Sequence, residues 1–188
     1  MKATGTSPAP PLRQEILVAA GEILAREGYD GLSMRKVARR INHSATAIYI
    51  YFKDRDDLVA CVCGELVAGL GRELEELAAR HRDPLVALRK GLRCYVDFGR
   101  RHPRQYQARF GRRLQRDPGP ALPWLRRMVG ECVTRKKIPK VDAHRASCAL
   151  WAGVHGVTSL VVAMPEFEWN TPDKTIDQLI EMMLAGLK

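Results

Sequence analysis

The chain has 188 residues, 46% of them hydrophobic and 28% charged, with a formal net charge of +10 at pH 7. That length suits two modules, the apolar fraction argues against a wholly disordered chain, and the positive excess points to a polyanionic partner without bearing on fold. No apolar run reaches the roughly 20 residues of a membrane span, and the five cysteines, with Cys61-x-Cys63 spaced wrongly for a zinc or redox pair, read as reduced thiols of a cytoplasmic protein.

Residues 1–11 are rich in Pro, Thr and Ser and lack the apolar core of a signal peptide, so they read as a short disordered arm. The first predicted helix runs from about Leu12 to Glu27. Leu12, Ile16, Ala19, Ala20, Ile23 and Leu24 recur at three- and four-residue steps, and Gly28 and Gly31 end it. Ser33 is a suitable N-cap for a second, short helix with Val37, Ala38 and Ile41 inward and Arg35, Lys36, Arg39 and Arg40 outward. Asn42 tolerates the left-handed backbone that stops helices, and Ser44 caps a third helix through Phe52, with Ala47, Ile48 and Phe52 inward. Two short helices about a tight turn, the second opening on small polar residues, describe a DNA-reading helix-turn-helix.

The run from Leu32 to Leu58, and above all Ala47-Ile48-Tyr49-x-Tyr51-Phe52-x-Asp54-Arg55-x-x-Leu58, resembles the DNA-binding signature of TetR-type transcriptional regulators. The sequence departs from that pattern at Asn42, where the family usually has Gly, at Tyr51 for a common His, and at Arg55 for a common Lys. The resemblance implies a homodimer on a palindromic double-stranded DNA operator, with an unidentified small-molecule effector, no membrane and no cofactor. On the residues themselves, Ser44, Ala45 and Thr46 lie at the end of the recognition helix that meets base edges, and Arg35 suits a bidentate guanine contact. Tyr49 and Tyr51 can reach phosphates. Lys53 and Arg55 flank Asp54, and the amide of Arg55 can hold the same phosphate oxygen. Ser33 completes the DNA-binding set. The resemblance implies contacts at the matching positions.

Asp54 caps a fourth predicted helix, with Asp57 placed for a capping box and Leu58, Val59, Val62, Leu66, Leu70, Leu74 and Leu77 striped to about His81. Asp83-Pro84 opens a fifth, with Leu85, Leu88, Leu92, Tyr95, Val96 and Gly99 on one face. Pro103 opens a sixth to about Gln115, and Asp117-Pro-Gly-Pro is the clearest loop. A seventh spans about Pro123 to Lys137, an eighth residues 141–164, and a ninth Pro172 to Leu187. The expectation is an all-α chain of about nine helices, divided into a helix-turn-helix domain at 12–55 and a helical effector-binding and dimerisation domain at 56–188.

Charge is uneven: residues 1–55 carry +4, 56–99 carry −2, 100–140 carry +11 and 141–188 carry −3. The run Arg100, Arg101, Arg104, Arg109, Arg112, Arg113, Arg116 has no acid between its members. Helical spacing puts Arg101, Arg104, Arg109, Arg112 and Arg116 largely on one side and Tyr106, Phe110 and Leu114 on another. A solvated face, added attraction for a duplex (or, without the helix-turn-helix, nonspecific nucleic-acid coating), and a receptor for an acidic ligand group all fit it. Trp151-Ala-Gly-Val-His155-Gly156 resembles the Trp…His-Gly pattern of one TetR subgroup. Trp151 and His155 share a helix face and can close an internal pocket with Tyr95, Phe98, Tyr106, Phe110, Trp124 and Met128, or simply be core residues. Ala149, Gly153 and Gly156, with Ile176, Ile180 and Met183 of the last helix, suit a two-subunit four-helix bundle. No catalytic pattern appears: His43, His81, His102, His144 and His155 are scattered, and the His144–Cys148 pair has no third orienting residue.

Overall fold

The computed structural model describes residues 11–111, 119–169 and 171–187. The expected arm, apart from Pro11, lies outside them, as do Arg112, Arg113, Leu114, Arg116 and the first residues of the Pro-Gly-Pro loop. Among the described residues there are nine helices and no strand: α1 Leu12–Gly31, α2 Met34–Arg40, α3 Ala45–Tyr49, α4 Arg55–Arg80, α5 Pro84–Arg101, α6 Pro103–Phe110, α7 Ala121–Thr134, α8 Ala143–Ala163 and α9 Pro172–Ala185. The chain divides into two compact units, Met1–Val62 and Cys63–Lys188, and α4 runs through the boundary.

Local chemistry sets the first unit. Gly28 takes φ 73, which breaks α1 where its apolar stripe ends. The Ser33 hydroxyl accepts from the Lys36 amide and the Ser44 hydroxyl from the Ala47 amide, each at 3.2 Å. Asn42 sits at φ 57, and the His43 amide donates to the Ala38 carbonyl at 2.9 Å, the closure that ends a helix in a left-handed residue. Asp54 accepts from the Asp57 amide at 2.8 Å while the Asp57 carboxylate accepts from the Lys53 amide at 2.9 Å, two reciprocal bonds that fix the start of α4. Ile16, Ala20, Leu24, Leu32, Val37, Ile48, Phe52, Leu58 and Val59 form the buried centre. α3 ends at Tyr49, short of the expected Phe52. Replacing Ser44 by alanine is expected to cost about 1 kcal/mol in this unit, read as a lowered urea midpoint with unchanged slope.

In the second unit α5 packs against α7, α8 and α9. Leu88, Leu92 and Val96 of α5 meet Leu125, Met128 and Val129 of α7, Leu150 and Val154 of α8, and Ile176 and Ile180 of α9. Asp83 caps α5 at the Leu85 amide and also receives Lys137, and Asp142 caps α8 at the His144 and Arg145 amides. Ion pairs fasten α9 to α5: Arg89 to Glu181 at 2.5 Å, Arg93 to Asp177 at 2.7 Å and to Asp173, and Arg100 to Asp173 at 2.6 Å. Arg100 and Arg93 hold the Asp173 carboxyl below its ordinary range.

Three expectations need correction. Ile176 and Ile180 are 0% and 2% exposed within their own chain, so they line its core and cannot reach a second copy. Arg109 is 5% exposed and buried with Tyr106 and Ala108 of the same helix, not on a solvated face. Its guanidinium lies 5.4 Å from the Phe110 ring centre. α8 is, among the described residues, one helix long and apolar enough to cross a membrane by length and composition, with a mean hydropathy of 1.5. Its polar positions disguised this in the sequence: Ser147 and Thr158 are fully buried and donate to carbonyls of their own helix. Leu150, Val154, Val157 and Val162 account for much of the apolarity as core.

Candidate functional site

α2 carries four basic residues, and the fold separates their roles. Lys36 pairs with Glu27 and Arg40 with Glu22, both glutamates of α1. Arg35 and Arg39 are exposed and have no ion pair among the described residues. Thr46 is exposed one residue into α3, with Ala45 half-buried beside it. Tyr49, Ile50 and Tyr51 follow at 55%, 77% and 43% exposure. Among the described residues of the first unit, nothing covers these large side chains. Ile50 was not singled out from the sequence. Its signal was a β-branched apolar residue off the helical stripe, between two tyrosines.

Arg55 is placed differently from the other basic residues. Its guanidinium lies 4.0 Å over the Tyr29 ring and donates to the Leu32 carbonyl at 3.5 Å, while the Tyr29 hydroxyl donates to Asp56. This bracket ties the end of α1 to the start of α4 and so fixes where Lys53 and the first amides of α4 point. Arg13 is drawn over the Phe52 ring at 5.5 Å.

In the second unit, five residues expected around a pocket come together. The Tyr106 and Tyr95 hydroxyls lie 2.6 and 3.1 Å from His155 Nδ1, and His155 Nε2 lies 3.5 Å from Ser159 Oγ. Trp151 stacks on His155 at 5.3 Å between ring centres, and Phe110 meets it edge-on at 4.8 Å. Phe98 instead packs on His102, and Met128 is buried in the core at 1% exposure. Trp124 stands apart from the cluster, lining with Leu74, Gly91, Leu92, Tyr95, Ala121, Leu125 and Val154 a cavity of about 10 Å³. Sequence reading did not foresee Gly91, since a glycine within a helical stripe carries no mark of what rests on it.

Burial holds both His155 and His102 below their ordinary value of 6.5, so the fold favours neutral imidazoles. Their contribution is complete above 6.5 and lost as pH falls below it, because the unfolded chain takes up protons first. Urea midpoints are therefore expected to drop between about pH 7.5 and about pH 5.5, and less in His155→Gln. His144 Nε2 and Cys148 Sγ lie 3.9 Å apart on exposed turns of α8, with no third polar group joined to them among the described residues. No group of three metal-ligating side chains occurs among the described residues.

Two capped helices about a left-handed turn, joined to a larger helical unit, define a helix-turn-helix transcriptional regulator. Residues 16–62 match the family described as bacterial regulatory proteins, tetR family, and residues 88–187 match the tetracyclin repressor-like C-terminal domain. The chain belongs to the TetR family, whose members are DNA-binding regulators and not enzymes. An uncharacterized HTH-type transcriptional regulator of Haemophilus influenzae is 44% identical over 48 residues, 26% of each chain, so the match spans about a quarter of that relative. A Rhodococcus sp. RHA1 protein of unknown function superposes with a TM-score of 0.82 at 23% identity, covering 97% of this chain and 98% of that one. FadR of Bacillus subtilis in complex with stearoyl-CoA superposes at 0.73 with 15% identity, covering 93% and 99%. Those two likenesses speak for the fold.

Proposed function

We propose that the protein is a homodimeric, cytoplasmic repressor that binds a palindromic operator and releases it when a small molecule binds the second unit. The observation that carries the reading is the exposed set Arg35, Thr46 and Tyr49 on two capped helices, with Tyr51 just beyond the second, and with Lys36 and Arg40 held back by glutamates. Arg35 and Thr46 would read base edges, while Tyr49, Tyr51, Lys53 and the first α4 amides would hold phosphates. Ser33 and Ser44 serve this surface through the caps they form.

The dimer reading draws support from apolar side chains left uncovered in the second unit. Leu160 and Met164 at the end of α8 are 50% and 45% exposed, and Met182 on α9 is 62% exposed. Ala149 is exposed and a side chain added at Gly156 would meet open space, whereas Gly153 is already closed by Met183 of its own chain. Leu160→Asp with Met182→Glu is expected to give monomers in sedimentation. An unchanged dimer would place the interface elsewhere.

Effector control rests on population shift: a ligand favouring the DNA-incompetent state withdraws the protein from DNA by no more than its differential affinity. A second reading, a regulator whose pocket is filled by its own side chains, is favoured by the cavity of only about 10 Å³. The nonspecific-coating reading is weakened by Arg100 and Arg101, which are held by Asp173 and Glu73, and by the burial of Arg109. Sequencing the DNA that the purified protein selects from its own genome, followed by competition against random duplex, tests the proposal. Equal affinity for selected and random DNA would sink it.

A further inference from the structure

Part of the positive excess of residues 100–140 is already answered: Arg100 and Arg101 pair with Asp173 and Glu73, and Arg109 is buried. The far end of that segment stands exposed as Arg135, Lys136, Lys137 and Lys140, and the fold sets it beside a second basic turn, with exposed Arg80 and Arg82 at the end of α4. Two contacts join the turns. Arg135 Nη1 donates to the Arg82 carbonyl at 2.6 Å, and Lys137 Nζ donates to the Asp83 carboxylate at 2.7 Å. Backbone bonds close the end of α7: the Lys136 amide donates to the Val133 carbonyl at 3.0 Å and the Lys137 amide to the Cys132 carbonyl at 2.8 Å, with Lys136 left-handed at φ 54. Glycine is the usual occupant of such a closure, and here it is an exposed cation. Ile138, 5% exposed, fastens the turn to the core. Arg80, Arg135 and Lys137 have acidic partners in Glu76, Glu131 and Asp83, whereas Arg82, Lys136 and Lys140 have none among the described residues.

We propose that these two turns form a second nucleic-acid surface, which holds the phosphodiester backbone of a second stretch of duplex DNA without reading its sequence. The inference goes beyond operator recognition by the helix-turn-helix. What the turns lack decides between kinds of partner: no large apolar side chain is exposed in residues 80–83 or 134–140. Protein partners are held chiefly by buried aromatic and apolar anchors, and lysine is depleted from their interfaces, whereas a phosphate backbone needs only lysine and arginine. Arg82, Lys136 and Lys140 each neutralise a phosphate, which releases condensed counterions and makes the contact salt-dependent. With the helix-turn-helix on one duplex, the molecule bridges two.

The test loads the full chain with a stoichiometric amount of a short duplex selected from the genome, then titrates in a fluorescent random-sequence duplex and reads its capture by anisotropy at several salt concentrations. Wild type is expected to capture the second duplex with a slope of about −3 per subunit in a double-logarithmic plot. R82Q/K136Q/K140Q is expected to lose that capture more than about tenfold at about 0.1 M salt, with affinity for the selected duplex at the wild-type value. R82K/K136R/K140R keeps every charge and is expected to capture as wild type does. K140Q alone, outside any helix, is expected to flatten the slope by about 1 and decides the matter if the triple variant does not fold. No capture by wild type, or equal capture by the glutamine variant, overturns the proposal. So does poly-glutamate displacing the second duplex at a lower charge concentration than random DNA does, which would assign the turns to an acidic polypeptide. Equal affinity for selected and random duplex overturns specific repression instead, and the slope difference between wild type and the glutamine variant on random duplex still decides this surface.

Discussion

Arg35→Ala is expected to weaken operator binding by roughly ten- to a hundredfold, about 1–3 kcal/mol, and to relax preference at a single base position. Among the four basic residues of α2, Arg35 is at the helix start, exposed and without an acidic partner among the described residues. Lys36 and Arg40 provide the internal comparison. Each already spends its charge on a glutamate of α1, so alanine there removes a surface pair worth little and should change affinity far less. Binding measured on a panel of single-base operator variants decides the matter. A loss spread evenly over all sequences would assign Arg35 to a phosphate, and no loss would remove it from the interface.

Phe52→Ala is expected to cost about 3–5 kcal/mol, enough to unfold a first unit of ordinary stability. Phe52 is 1% exposed, ends α3 through its amide bond to Ile48 at 3.1 Å, and lies under the Arg13 guanidinium. Its removal opens a cavity between the recognition helix and the start of α4, where Leu58 and Val59 are fully buried. Hydrogen exchange resolves the consequence by segment. Protection should vanish in residues 12–62 and operator binding with it. Native-like protection there would show that the core tolerates the loss.

The first unit was the more legible of the two because its determinants are local. Ser33, Asn42, Ser44 and the Asp54–Asp57 pair act on amides within five residues of themselves, so their spacing carries their meaning. Arg55 shows where that logic ends: nothing near it in the chain announces Tyr29, 26 positions earlier, as the ring it covers. In the second unit the helices were visible from their stripes, but which flank of each stripe meets which neighbour was not. Ile176 and Ile180 have the same pattern whether they face their own core or a second subunit. Arg109 was misread for the opposite reason, since a run of arginines suggests solvent and only packing shows one of them buried. Trp124 and Gly91 are 33 positions apart, and their contact comes entirely from the packing of α5 on α7.

The glutamate pairs on α2 also set how the protein responds to ionic strength. Binding to a duplex releases condensed counterions in proportion to the phosphates neutralised, with a slope of about −0.9 per phosphate in a double-logarithmic plot. Counting formal charge would assign many cations to each half-site. With Lys36 and Arg40 internally compensated and Arg55 stacked on Tyr29, the exposed cations without an ion pair among the described residues of α2 and the turn into α4 are Arg35, Arg39 and Lys53. A slope of roughly −3 per subunit follows. Doubled for a dimer on its operator, that slope costs about three orders of magnitude in affinity for a fourfold rise in salt, so binding stays strongly salt-dependent even with two α2 cations compensated.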